Sequence, residues 1–569
     1  MKTTILFIIC ISFLHSYSSA QHEANNWIFG KDVLMKFRKD TIDVEKIDGL
    51  DYPDSARIAG QFSKTSLISD STNHIKILTD GYYVFNKDFK IINDRKPLFY
   101  PTSHFVSNLY VIPHPKEKSD FFIITVRDFD GNEKFDLTIG DSMALYYSFV
   151  DMSFNNFTGK VIYSDRELLK PVINNFTVSE HSDGNGYWVI CHEFGSSCFN
   201  AVLFNGAGIS KIKKSCLGKS LYREICNDNN IGWGADASSI LNITFDGKKL
   251  ALMMDCEASI QLFDFDNSKG SISNAKTIDL SHINFDKSVQ EKNKSIEFSP
   301  NNSKIYISYS GPSYEHGGKL YQLDLSSGSS KNIENSTALI YNGENFIKDL
   351  KIGPNGKLYI FFSGYEYLGV VNNPNQKGDM CGFDKNGIYI GDSHSQCYLP
   401  NIPKSLMGIQ SEIKTAHEYC TGDNIVLNTK DKAPFHSLEY YWTGPNGFES
   451  FEENPIIENV TPEMSGKYML HAKLNGFEDF DTVNIIIHPR PEMQITSEST
   501  TFCEGTEHIL STDKEFPSYN WSTGDTTREI SVTEPGYYSV EVTDSNGCTV
   551  ADTMRARMRV MKIEFLGVN

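Results

Sequence analysis

The sequence predicts an all-β protein: a β-propeller of six or seven blades, seven favoured, followed by two immunoglobulin-like β-sandwiches. Three observations predict it. Pairs of short apolar runs joined by turn residues recur at a near-constant period before residue 400. Aromatic residues make up 12% of the chain, which suits strands because flat rings pack on a pleated surface. Beyond residue 409 the pattern changes, and a Trp followed by a later Gly and Tyr appears twice.

Residues 1–20 place Lys2 before an apolar run at 5–14 and small residues ending at Ala20, the pattern of a cleaved secretory signal. The mature chain then begins at Gln21, and a secreted or cell-surface location is expected. No later stretch approaches the roughly 20 apolar residues of a membrane helix. The formal charge of −19 argues against nucleic acid and against a polybasic hold on anionic lipid. Of 11 cysteines, Cys10 leaves with the signal, and no C-x-x-C is present to suggest a zinc ribbon or a redox pair. In an oxidising compartment the even remainder suggests bridges. Pairing within the set Cys191, Cys198, Cys216, Cys226 and Cys256 cannot be read from sequence.

The repeat lies in residues 21–408. Aligning Lys249-Leu250, Lys304-Ile305 and Lys357-Leu358 gives offsets of 55 and 53 residues, close to the roughly 40 to 50 of a propeller blade. Each unit holds paired strands, as in "KLYIFF" then "YLGVVN". Weaker hairpins occur at 66–86, 119–131 and 186–208. In "KLYIFF" both faces are apolar, which calls for a sheet on each side. Six hairpins emerge, and a seventh blade is expected to be shared between the N-terminal "NWIFGKDVLMKF" and the C-terminal "GIYIGD". Cys381 and Cys397 flank this last hairpin-sized loop and are expected to be bridged.

The stretches "NNWIFG", "SLISDSTNHIKILTDGYYVFNKDFKII", "YYSFVDM", "QLFDFD", "IEFSPNNSKIYIS" and "LGVVNNPNQKG" followed by Cys381 resemble the N-terminal region of large secreted proteins of gliding bacteria. That family is described as gliding-motility-associated or type IX secretion cargo. The resemblance spans about residues 25–400. It implies a secreted or surface protein in which a propeller precedes immunoglobulin-like (PKD-like) repeats, with a role in gliding or surface colonisation.

Two sandwich units follow, at 409–488 and 489–556. The first carries "YYWTGPNGF" and "TPEMSGKYMLHAKL", the second "YNWSTGD" and "TEPGYYSVEVTDSNGCTV". Trp442 and Trp521 mark central strands, and Tyr468 and Tyr538 resemble the corner Tyr of immunoglobulin folds. "FCEGT" at Cys503 matches "YCTGD" at Cys420, and "DSNGC" at Cys548 matches "KLNGF" at Phe477. A Cys503–Cys548 bridge would close the second unit, leaving Cys420 free or paired elsewhere. Residues 557–569 read as a tail and the first strand of a further unit, with no sorting domain evident there. A truncated reading frame or a different export route is expected.

For chemistry, "RDFDGNEKFD" groups Asp128, Asp130, Asn132 and Asp136, hard oxygen ligands suited to calcium, although Glu133 stands where an EF-hand turn needs Gly. His181 with Asp183, and His192 with Glu193, are residue types of acid/base pairs, and equally of turns and strand ends. G-x-S-x-G, H-E-x-x-H and a phosphate-cradling Gly loop are missing, so no catalytic residue and no cofactor beyond calcium is expected. The expected function is adhesion or binding of a surface glycan or protein through the propeller, with the sandwiches as spacers. The alternative is a propeller glycosidase or lyase, which would bring acidic side chains from different blades together at the central channel.

Overall fold

A computed structural model describes residues 24–559, apart from internal stretches of which 48–63, 99–107, 129–142, 221–238 and 284–292 are the longest. Residues 1–23, where a signal sequence is expected, and residues 560–569 lie outside the described residues. The fold is all-β, 59% strand and 5% helix. By internal contact the chain divides into two compact units, one comprising Met1–Gln410 with Asp431–Leu438 and Lys473–Asp479, the other the remaining residues.

Among the described residues of the first unit, seven antiparallel sheets follow one another along the chain, each in simple meander order. Sheets one and two have three strands, starting at Asn26–Phe29 and Ser66–Ser69. Sheets three to seven have four, starting at Asn108–Pro113, Val172–Glu180, Ile240–Ile243, Asn293–Phe298 and Ile347–Ile352. In the four-stranded sheets the last strand is the most exposed. In sheet five Ile240–Ile243 is almost wholly buried, whereas Ser271–Asp279 is largely exposed. First strands have neighbours on both faces, and the outermost strand meets water.

Apolar layers fill the space between consecutive sheets. Phe122, Ile124 and Val126 of sheet three meet Val178, Val189 and Val202 of sheet four. Trp188 and Ile190 of sheet four meet Leu250 and Phe263 of sheet five, and Met253 and Ile260 meet Ile305 and Ile307 of sheet six. Leu358–Phe362 is buried on both faces, as its sequence requires. The first and last sheets also touch: Trp27 of sheet one meets Tyr359 of sheet seven edge to face at 5.3 Å, and Phe29 meets Phe361 at 6.2 Å.

Two sequence expectations are corrected here. The N-terminal strands do not share a sheet with "GIYIGD". They form sheet one by themselves, Trp27 opposite Met35 and Met35 opposite Val44, while residues 387–392 lie in the fourth strand of sheet seven, Phe383–His394. Each of these segments finds its ladder partners in adjacent strands of its own part of the chain, so no distant pairing is needed. Cys381 is a buried free thiol rather than half of a bridge to Cys397, a residue outside the described set. Burial raises the pKa of its thiol and outweighs the hydrogen bond with the Tyr306 hydroxyl, which acts the other way.

In the second unit, two mainly antiparallel modules follow in sequence, each with one parallel pair between an early strand and its last strand. Each has a fully buried Trp, Trp442 or Trp521, over a small apolar core. The Tyr468 and Tyr538 hydroxyls donate at 2.9 Å to the carbonyls of Met464 and Glu534, four residues upstream in both cases. The second module's last strand continues to Arg559.

The bridges differ from expectation. Cys420 is joined to Cys548, and Cys503 is free. Geometry explains why. Cys503 pairs in register with Arg559 at the end of the last strand, Thr549–Arg559, whereas Cys548 immediately precedes its start. Eleven strand residues at about 3.3 Å each put the two cysteines roughly 35 Å apart, far beyond the ~7 Å Cα limit for a bridge. In the first unit, Cys198 and Cys216 are directly opposed in sheet four and bridged, and Cys191 is a buried free thiol. Cys226 and Cys256 lie outside the described residues.

Candidate functional site

The seven-sheet unit gathers its polar side chains where first strands face one another. Asn108 accepts from the N–H of Leu109 at 3.0 Å and donates through Nδ2 to the carbonyl of Phe176, in the first strand of the next sheet, at 2.9 Å. Asn242 repeats the device with Ile243 at 2.7 Å and Ile296 at 2.6 Å. Asn175 accepts from the N–H of Leu241. In sheets six and seven the corresponding side chains are acids: Glu297 accepts from the N–H of Phe298 at 3.0 Å, and Asp349 from Leu350 at 2.9 Å. Each side chain satisfies a backbone group that bare strand-to-strand packing would leave without a partner.

Glu297 and Asp349 are 2% and 7% exposed, and they come from different sheets. That is the convergence of carboxylates an enzyme site would need. Both are engaged by the chain itself. Residues 398–407 run across the first strands and make contacts with nearly every sheet. The N–H of Leu399 donates to Asp349 Oδ2 at 3.2 Å. Asn401 donates from its backbone to Thr65 and from Nδ2 to Asn108 Oδ1 at 2.6 Å, and its carbonyl accepts from the Ser66 hydroxyl. Lys404 forms a buried ion pair with Glu297, its ammonium lying 4.6 Å from the Phe245 ring centre and 5.3 Å from that of Phe298. Tyr398 lies under the ammonium groups of Lys64 and Lys348, at 5.1 and 4.7 Å.

Electrostatics follow from burial. Desolvation pulls Lys404 down to about 8 although Glu297 opposes it, and it pulls Lys64 down to about 8 against Asp349. For Lys351 desolvation acts in the same direction, but Asp349, Tyr110 and Glu297 outweigh it and raise the ammonium above its ordinary value. The space left between strap and strands is about 20 Å³, lined by Trp27, Tyr110, Asn242, Glu297, Lys351 and Lys404 among others. One water fits there.

The residues singled out from sequence lie elsewhere. Asp128 ends a strand of sheet three, Asp120–Asp128. Asp130, Asn132 and Asp136 are outside the described residues, so the calcium expectation falls on residues that carry no structural account. Among the described residues no group of three His, Cys, Asp or Glu could hold a metal ion. His181 and Asp183 form a turn: the His181 ring contacts Asp183 at 2.8 Å, approaches the Ser268 carbonyl and stacks on Trp188. His192 is completely buried against Phe199, its Nδ1 on the Glu193 carbonyl, while the Glu193 carboxylate pairs with Lys214. Sequence reading missed Asn108, Asn175, Asn242, Glu297 and Asp349. The available signal was one polar residue followed by an apolar one in each first strand: "NLYV", "NFTV", "NITF", "EFSP", "DLKI".

No family model matches the chain, and no curated protein does. Among solved structures, a putative 6-phosphogluconolactonase from Bacteroides uniformis is 13% identical, with 67% of this chain and 98% of that one covered and a TM-score of 0.35. Streptogramin B lyase is 10% identical over 66% and 92% of the two chains, TM-score 0.32. Murine CEACAM1b is 12% identical over 26% of this chain and all of its own, TM-score 0.17.

Proposed function

We propose that the chain is a non-enzymatic secreted or surface-displayed binding protein. In this reading the seven sheets close into a seven-bladed propeller that presents a glycan- or protein-binding face. The two modules after it are immunoglobulin-like spacers. The observation that carries the proposal is the strap at 398–407. The two carboxylates that meet from different sheets are held by a lysine and a backbone N–H of this same chain, with room for one water beside them. Such groups rigidify a scaffold and are not free to attack or protonate a glycosidic bond. Two bridges fit an oxidising compartment. No helix among the described residues is long and apolar enough to cross a membrane. A role in gliding or surface colonisation belongs to the same proposal and rests on the sequence resemblance.

The test is a glycan and surface-protein binding array with the purified full chain, run beside a turnover assay on the polysaccharides it retains. Retention without turnover is expected. Turnover abolished by Glu297→Gln or Asp349→Asn, in variants that still fold, would replace this reading with a glycosidase or lyase at the channel.

A further inference from the structure

The two sandwich modules carry cysteines at two kinds of position, and the bridge between them gives each kind a meaning. The first kind ends an early strand that pairs in parallel with the module's last strand. Cys420 stands opposite His488 there, and Cys503 opposite Arg559. Both are the final residue of that early strand, and both open the same turn. The N–H three residues on, Asp423 or Thr506, donates back to the cysteine carbonyl at 3.0 or 3.1 Å. A glycine with φ +85° or +77° stands between them, at Gly422 and Gly505. The second kind lies where the last strand begins: Cys548 immediately before Thr549–Arg559 in the second module, and Phe477, the first residue of Phe477–His488 and the sequence match to Cys548, in the first.

Cys420 is bridged to Cys548, so an early-strand cysteine of one module meets the turn cysteine of the next. Arg490, in the connection between the modules, braces the same junction. It donates to the carbonyls of Thr421 and Thr549 and pairs with Asp423 at 2.6 Å. The first module has no sandwich before it, and at the start of its last strand Phe477 stands instead of cysteine. The second module has a sandwich before it and carries Cys548. Only the early-strand cysteine of the second module, Cys503, is left as a partly exposed free thiol, at the end where the last strand finishes.

We infer that the modules are linked by a ladder of inter-module bridges and that Cys503 is the rung for a further sandwich module, one whose turn before its last strand carries a cysteine as Asn546-Gly547-Cys548 does. This is independent of what the seven-sheet unit binds. Two thiols, Cys503 and the incoming cysteine, give up two protons and two electrons to a small disulfide oxidant such as oxidised glutathione, which leaves as two thiols, and one S–S bond forms. The bridge would fix the next module in the orientation that Cys420–Cys548 fixes for this one.

The test uses the chain through Arg559 continued directly by a second copy of residues 489–559 in place of residues 560–569, so that the new junction repeats the one after His488. The copy's own early-strand cysteine is replaced by Ser to leave a single choice. After equilibration in a glutathione redox buffer, unreduced peptide mapping is expected to find Cys420–Cys548 intact and Cys503 joined to the copy's turn cysteine. The same protein with Cys503→Ser should gain one alkylatable thiol. Retention of Cys420–Cys548 with both other thiols free would overturn the inference. A second measurement needs no folded copy: in the unextended native chain Cys503 should react with iodoacetamide while buried Cys191 and Cys381 do not. A Cys503 as unreactive as those two would show that its own module already buries it, and the ladder would fail there.

Discussion

Gly270 closes the turn that follows the third strand of sheet five, with φ +73° and its N–H bonded to the Asp266 carbonyl at 2.7 Å. A Cβ built there would lie 2.4 Å from the ring of Trp188, which is fully buried and tied through Nε1 to the Asn267 carbonyl. Gly270→Ala therefore combines a left-handed backbone with overpacking, and a loss of about 1–3 kcal/mol is expected in thermal unfolding. An unchanged melting temperature would mean that the ring moves aside freely. His192 gives a pH-dependent effect. Burial lowers its pKa from 6.5 to about 4 in spite of the Glu193 carbonyl, and no hydrogen-bond partner reaches its Nε2. The unfolded chain takes up the proton first, so the folded state loses stability as pH falls from 6.5 towards 4, by about 3 kcal/mol in all. His192→Phe should lack that portion of the acid sensitivity. Parallel stability curves for the two proteins between pH 7 and 4 would remove His192 as its source.

At the scale of elements, the strap at 398–407 has the most consequence. Lys404→Met strands the Glu297 carboxylate at 2% exposure, and breaking one side of a buried pair costs about 3–5 kcal/mol. Adding Glu297→Gln to that variant should restore much of the loss, because neither charge is then left alone. A double variant as unstable as Lys404→Met would show that packing, not charge, holds the strap. None of this was legible from "YLPNIPKSLM", which has neither helical nor strand periodicity, and a lysine in a loop reads as solvated. The strands themselves were legible where both faces are apolar, as in "KLYIFF", since only a strand packed on both sides tolerates that sequence. Trp442, Trp521, Tyr468 and Tyr538 were legible too, because one large ring and one upstream hydrogen bond repeat in both modules. The bridge was misread because similarity between modules says which cysteines correspond and nothing about which end of the strand each occupies.

At the scale of the whole chain, the seven-sheet unit meets itself through side chains alone. Sheets one and seven share no backbone ladder in the described residues, and Trp27 contacts both Phe37 of its own sheet and Tyr359 of the seventh, at 5.0 and 5.3 Å. The N-terminal strands therefore act as a separate stave held by aromatic packing, with the Thr65 hydroxyl donating to the Ile28 carbonyl on the other side. Opening such a seam breaks side-chain packing alone, whereas separating the strands of either sheet also breaks a backbone ladder, so the seam should open before the strands within a sheet come apart. Trp27→Ala, which removes about 3–5 kcal/mol of buried aromatic packing, tests this by hydrogen exchange. Protection should fall together at Asn26–Phe29 and Leu358–Phe362, while Gly186–Glu193 in sheet four keeps most of its own. Equal loss in all three strands would mean that the unit opens as one body and that the seam is no weaker than the rest. Loss confined to Asn26–Phe29 would mean that sheet seven does not depend on sheet one, and the proposed closure of the ring would lose its support.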